Sequence, residues 1–229
     1  MSRENLEDIL SLLSKGNDKG EKISLVGATK TVSVEVINDY VRKGLNIVAE
    51  NKVQEFRKKT DLIDKSARQD FIGHLQTNKV KYLVGKVNTI HSVDSFHLAE
   101  AISDRAVKVN CNQNILMEIN VGGELSKSGF SPDNAVDCAL KLAKYKNVNL
   151  IGIMAMLPKS KDEEYLASLC IKVRNIYETL IEYGLNLTVL SMGMSNDYKI
   201  AIKNGSNMVR LGSKIFGEKN YGEKLNGSF

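Results

Sequence analysis

Tryptophan is absent from this chain, prolines number two, cysteines three, and aromatic residues make up only 6% of its 229 positions. So few aromatic faces leave little on which to stack the bases of a single strand. Basic runs are missing too. Net charge is 32 − 27 = +5, but no stretch holds five or six consecutive Lys or Arg, so the footprint of a nucleic-acid binder is weak. Cys111, Cys138 and Cys170 are widely spaced and come with no CxxC or His-pair spacing. That argues against a disulfide framework or a zinc site and for buried reduced thiols. Long apolar runs are also lacking: residues 114–120 and 150–157 are far too short to cross a bilayer. Met1-Ser2-Arg3-Glu4-Asn5-Leu6-Glu7 has no apolar signal segment. A cytoplasmic protein with neither a nucleic-acid nor a membrane partner is expected.

What is present is an ordinary globular balance, 42% hydrophobic and 26% charged, with a repeating order. Leu6, Ile9, Leu10 and Leu13 share one face of a helix expected over residues 4–13. A buried strand follows at 23–29, then a helix at 33–43 that Gly44 stops. Strands are expected at 46–49, 70–73, 89–93, 114–119, 150–156, 188–192 and 208–211. Helices are expected between them at 52–63, 76–84, 96–107, 133–144, 163–183 and 197–202. Strict strand–helix alternation forces parallel pairing. Eight such units in a chain of this length match a closed (β/α)8 TIM-type barrel, with a doubly wound open sheet as the alternative. Only Pro132 and Pro158 punctuate the chain and no linker interrupts it, so residues 1–229 read as one domain.

In a parallel barrel the chemistry gathers at the carboxyl ends of the strands. Lys30, directly after the first strand, would stand at the mouth with its amine partly desolvated, which favours nucleophilic attack on an aldehyde. A solvated surface lysine explains the same residue. Ser191-Met192-Gly193-Met194-Ser195-Asn196-Asp197 leads from strand seven into a helix start suited to a phosphate, and an ordinary N-cap suits it equally. Met208-Val209-Arg210-Leu211-Gly212-Ser213 ends in two further amides and a hydroxyl, on the second loop that commonly holds phosphate in this fold. Arg210, inside an apolar strand, needs a buried acceptor or an anion; a structural salt bridge would also satisfy it.

Several segments together resemble the pyridoxal phosphate homeostasis protein family. They are Val26-Gly27-Ala28-Thr29-Lys30-Thr31, Glu50 to Glu55, Phe71 to Lys79, and His91-Ser92-Val93-Asp94. Ile119-Asn120 with Ser126-Lys127-Ser128-Gly129, then Gly152-Ile153-Met154-Ala155, Leu190 to Asp197 and Met208 to Gly217 complete the set. They run in family order across nearly the whole chain. Ala49 stands where the family often has glycine, and Ala28-Thr29 where Val-Ser is usual; both are small-for-small changes that bear on loop geometry.

The resemblance implies an alanine-racemase-like barrel with pyridoxal 5'-phosphate (PLP) held as a Schiff base on Lys30. Ser195, Gly212 and Ser213 would grip the phosphate and Arg210 would face the pyridine nitrogen. Asn51, His74 and Met154 would line the ring. A guanidinium at that nitrogen weakens the ring as an electron sink. The β-rich C-terminal domain that supplies the racemases with a second base has no room before Phe229. The resemblance therefore implies a monomeric protein of vitamin B6 homeostasis and supply with little or no catalysis, its partners being PLP and PLP-dependent apo-enzymes. An amino-acid racemase of low activity is the alternative, with His74 or Tyr221 as the second acid–base group. A Schiff-base aldolase or phosphosugar enzyme would share the phosphate cup, but Met154-Ala155-Met156 brings no second carboxylate or lysine to strand six. Lys79 and Lys127 are open as second docking points for the aldehyde.

Overall fold

Val26, Ile47, Ala49 and Met208 form a small apolar cluster of their own, while their chain neighbours Leu25, Val48 and Val209 join a different one. That split is the signature of strands buried on both faces, one toward a barrel lumen and one toward covering helices. The structure, a computed structural model, describes residues 5–124 and 127–217. Its strands are β1 (Ser24–Ala28), β2 (Ile47–Glu50), β3 (Arg68–Phe71), β4 (Thr89–Val93), β5 (Gln113–Ile119), β6 (Val148–Ala155), β7 (Val189–Ser191) and β8 (Met208–Leu211). They pair in parallel in chain order, and β8 pairs back onto β1 through Leu25↔Val209 and Val26↔Arg210. Closure rules out the open sheet.

Helices cover the outside: α1 (Leu6–Leu13), α2 (Val34–Arg42), α3 (Val53–Lys59), α4 (Phe96–Lys108), α5 (Ala135–Leu142), α6 (Glu163–Glu182), α7 (Tyr198–Lys203) and α8 (Ser213–Phe216). The largest core lies under α3 to α7. A second core, including Leu6, Ile9, Leu13, Leu25, Val209, Ile215 and Phe216, packs α1 and α8 over the seam between β1 and β8.

One expected helix is different. Residues 77–82 form a 3-10 turn rather than an α-helix over 76–84. Its bonds Lys79 N–H to Gln76 O and Leu83 N–H to Val80 O span three residues, and Thr77, Val80 and Leu83 recur at the three-residue spacing that such a turn stacks. The fifth helix likewise begins with a short 3-10 turn, Pro132–Asn134. Cys111, Cys138 and Cys170 are free, and burial pushes the Cys170 thiol up to about 12, far from the reactive thiolate range.

Candidate functional site

Lys30 sits in a tight turn two residues past β1. Val32 N–H donates to Thr29 O at 3.1 Å and closes the turn, with Lys30 and Thr31 as its central residues. Thr31 has φ +60°, a left-handed conformation that costs a β-branched residue roughly 1–2 kcal/mol. The strain is offset locally, because Thr31 N–H donates to Glu55 Oε2 at 2.8 Å. Lys30 itself is exposed, a correction to the partly desolvated amine expected from sequence: Thr29 is the last fully buried residue before the turn, and the turn lifts the next residue onto the rim.

Thr29 is tied down from below. Its hydroxyl donates to Glu50 Oε1 at 2.8 Å and to Ala49 O at 3.1 Å. Lys59, in the last turn of α3, reaches Glu50 Oε1 at 2.8 Å, Glu55 Oε2 at 2.9 Å and Thr29 O at 3.1 Å. Burial pushes the Glu50 carboxyl up despite the Lys59 and Thr29 contacts. Burial also works on Glu55, but the Thr31 amide and Lys59 outweigh it and hold Glu55 below the usual range.

Across the mouth, the turns after β7 and β8 meet. Ser213 Oγ donates to Ser195 Oγ at 3.3 Å, and Arg210 N–H donates to Gly193 O at 3.0 Å. Gly193 has φ +94°, and a Cβ there would lie 2.8 Å from both Tyr198 Cα and Ala201 Cβ, so only glycine fits the turn into α7. Met194 N–H donates to Asp197 Oδ1 at 2.5 Å; burial nevertheless raises the Asp197 carboxyl above its ordinary value. Gly212 is buried and immediately precedes Ser213, so the three phosphate-cup candidates share one arc of the rim.

Arg210 points into the lumen beneath them. Its guanidinium donates to Ser191 Oγ at 2.5 Å, Ser191 O at 3.1 Å and Ala155 O at 3.1 Å. These take up three of its five N–H groups. The buried acceptors that the sequence calls for are a hydroxyl and two carbonyls rather than a salt-bridge partner, with Glu118 and Asp197 acting from farther away. Burial draws the guanidinium down to about 10, and those two carboxylates pull it back up. Met154 is buried in the same row, paired in register between Glu118 and Ser191.

The β2 to β4 side of the mouth is joined through backbone. A Cβ on Gly73 would lie 1.9 Å from Asn51 O, and Ser92 Oγ donates to Gly73 O at 2.5 Å. Asn51 Oδ1 is buried and has no hydrogen-bond partner, and the same holds for Asn120 Oδ1 at the end of β5. Both are acceptors open to a donor at the mouth, since buried polar atoms are rarely left unpaired. His74 is exposed, with Nδ1 3.1 Å from Asp94 Oδ2. Lys79 is half-buried, and Lys127 is paired with Glu124 at 2.7 Å. Ser126 and Tyr221 lie outside the described residues.

Sequence reasoning missed most of the charged lumen. Asp70 Oδ2 accepts from Arg68 at 2.8 Å and contacts His91 Nε2 at 3.0 Å. Burial drives the His91 imidazole down, against the pull of Asp70. Glu118 is pushed up to about 7, by burial first and then by the Asp94 charge, against the opposing field of Arg210. The signal was a single charged residue inside an apolar strand, as in Leu116-Met117-Glu118-Ile119 and Thr89-Ile90-His91-Ser92-Val93. Among the described residues no cluster of three or more His, Cys, Asp or Glu is arranged to hold a metal, and no helix is long and apolar enough to cross a membrane.

Residues 28–220 match the family of the alanine racemase N-terminal domain. A pyridoxal phosphate homeostasis protein of Aquifex aeolicus is 42% identical over 224 residues, which covers 95% of this chain and 98% of the relative. The one from Pseudomonas aeruginosa is 31% identical over 87% of this chain and 86% of its own length. Among solved structures, PipY of Synechococcus elongatus with PLP bound superposes with a TM-score of 0.79 at 27% identity, over 92% of this chain and 99% of that one. Alanine racemase of Clostridium difficile shares the fold at 19% identity and a TM-score of 0.77, over 97% of this chain and 56% of that one. The chain belongs to the pyridoxal phosphate homeostasis protein family, built on the barrel of the alanine racemase N-terminal domain.

Proposed function

We propose that this protein holds PLP reversibly at the mouth of its barrel and serves vitamin B6 homeostasis and supply, with little or no catalysis of its own. Bound PLP supplies an aldehyde that an amine captures covalently and that water releases. Lys30 provides that amine. Ser195, Gly212 and Ser213 grip the phosphate, while Asn51, His74 and Met154 line the ring. Arg210 faces the pyridine nitrogen as a donor; even with its guanidinium drawn down to about 10 it keeps its proton at neutral pH. A fixed cation there opposes protonation of the ring, which disfavours carbanion chemistry. Residues 1–229 act as one domain, a cytoplasmic monomer whose partners are PLP-dependent apo-enzymes.

One observation carries this reading: the hydroxyls of Ser195 and Ser213 approach to 3.3 Å on the rim that also bears Lys30. The orphaned acceptor of Asn51 supports the fit, and PLP bound in PipY supports the ligand. The test is borohydride reduction of the full chain saturated with PLP, followed by peptide mapping. The adduct is expected on Lys30 and absent from Lys30→Ala. An equal adduct level in Lys30→Ala would overturn the assignment.

A racemase reading gains from the 3.1 Å pairing of His74 with Asp94, which orients a second acid–base group at the rim. Steady interconversion of alanine enantiomers, lost in His74→Ala, would establish it.

A further inference from the structure

Lys30 occupies a turn that is strained at Thr31, φ +60°, and both flanking residues are held by one cation that touches no ligand-binding candidate. Lys59 Nζ donates to the carbonyl of Thr29, just before Lys30, at 3.1 Å. It also pairs with Glu55 Oε2 at 2.9 Å, and that same oxygen accepts the amide of Thr31, just after Lys30, at 2.8 Å. Its third bond, 2.8 Å to Glu50 Oε1, reaches the oxygen that also accepts the Thr29 hydroxyl. The carbonyl before Lys30 thus accepts directly from this ammonium, and the amide after it and the Thr29 hydroxyl are tied to it through Glu55 and Glu50. The Lys59 side chain is only 13% exposed, so water competes little for these bonds.

We infer that Lys59 is a positioning residue for aldehyde capture: through Glu50 and Glu55 it fixes the turn that presents the Lys30 amine. This rests on the assignment of Lys30 as the capturing amine. In that step the Lys30 nitrogen adds to the aldehyde carbon, a carbon–nitrogen double bond forms, and the aldehyde oxygen leaves as water with both amine hydrogens. The geometry of attack is set by backbone on either side of Lys30, and reactions of this kind lose rate steeply when a reacting group is misplaced by an ångström. Without Lys59 the buried Glu50 carboxylate loses its countercharge, and Glu55, which holds the Thr31 amide, loses the cation that fixes it.

The experiment uses the full apo chain with PLP as the probe, in wild type, Lys59→Met, Lys59→Arg, Glu55→Ala and Lys30→Ala. The readouts are the rate of appearance of the bound-PLP visible band, its position, the borohydride-fixed site and the melting temperature without ligand. Lys59→Met is expected to slow capture tenfold or more and to shift the band while still labelling Lys30. Lys59→Arg is expected to restore most of the rate, and Glu55→Ala to slow capture several-fold. A Lys59→Met protein that captures PLP at the wild-type rate with an unshifted band overturns the proposal. Should Lys59→Met fail to fold, Glu55→Ala decides, and a wild-type rate there overturns it. An undiminished adduct in Lys30→Ala would instead defeat the Lys30 assignment, so the two failures are distinct.

Discussion

Arg210 and Ser191 are joined at two points in the barrel lumen: Nη1 donates to Ser191 Oγ at 2.5 Å and to the carbonyl of the same residue at 3.1 Å. Both residues are almost fully buried. The serine on β7 thus acts as a two-point bracket for the guanidinium that Arg210 extends from β8. Ser191→Ala removes one point and leaves a buried charged donor short of an acceptor, which typically costs about 1–3 kcal/mol. Urea denaturation of the apo protein is expected to show a loss in that range, with Ser191→Thr retaining more stability than Ser191→Ala.

Glu118 makes stability depend on pH in an uncommon direction. The fold raises its carboxyl from 4.5 to about 7, so between those values the native state holds a proton that the unfolded chain has released. Stability contributed by this group is therefore present below pH 4.5, falls as pH rises toward 7, and levels off above it. The total is on the order of 3 kcal/mol at most. Glu118→Gln should lose that slope, so the gap between mutant and wild-type stability should change between pH 5 and pH 8 in the mutant's favour. Parallel curves would rule the effect out.

Gly73 is required by its neighbour. An alanine Cβ would stand 1.9 Å from the carbonyl oxygen of Asn51, and backbone cannot yield as a flexible side chain can. Gly73→Ala is expected to cost about 1–3 kcal/mol, the usual scale of overpacking, and to weaken PLP binding as the loop after β3 moves off Asn51. Calorimetric melting together with PLP titration checks both.

The shared hydroxyl arc predicts a selective loss. Ser195→Ala combined with Ser213→Ala removes two donors from the phosphate position, and hydrogen bonds to charged groups contribute about 1.5–3 kcal/mol each. PLP affinity is expected to fall at least roughly tenfold, whereas pyridoxal, which has no phosphate, is expected to bind the double mutant and the wild type alike. Equal losses for both ligands would remove the phosphate from this arc.

Much of this architecture was legible. Each strand is a short apolar run between helical repeats, and that order alone predicts parallel pairing around a barrel. Closure was legible only from the count of eight units, because it depends on β8 meeting β1 and no local pattern records it. The segment 76–84 looked helical because Val80, Leu83 and Val84 suit either spacing; the three-residue bonds decide it. Arg210 stood out as a charge in an apolar strand, and its rim partners Ser195 and Ser213 followed from the loop rule. Glu118 carried the same mark, but it, Asp70 and His91 lie within the strands rather than in the loops that follow them. Lys59 was hidden in Arg57-Lys58-Lys59, a basic last helical turn of the sort that complements the helix dipole. Only its fold back toward Thr29 distinguishes it from its neighbours.

The smaller of the two helix-facing cores covers the junction of β8 with β1, where α1 and α8 pack together. Lys30 leaves from one side of that junction, and Ser213 and Arg210 from the other. A molecule joined to the first and gripped by the second spans the line along which the cylinder would part. Loading with PLP should therefore act as a clasp, slowing amide exchange in the first and last strands more than in β4 and β5, which the larger core already secures.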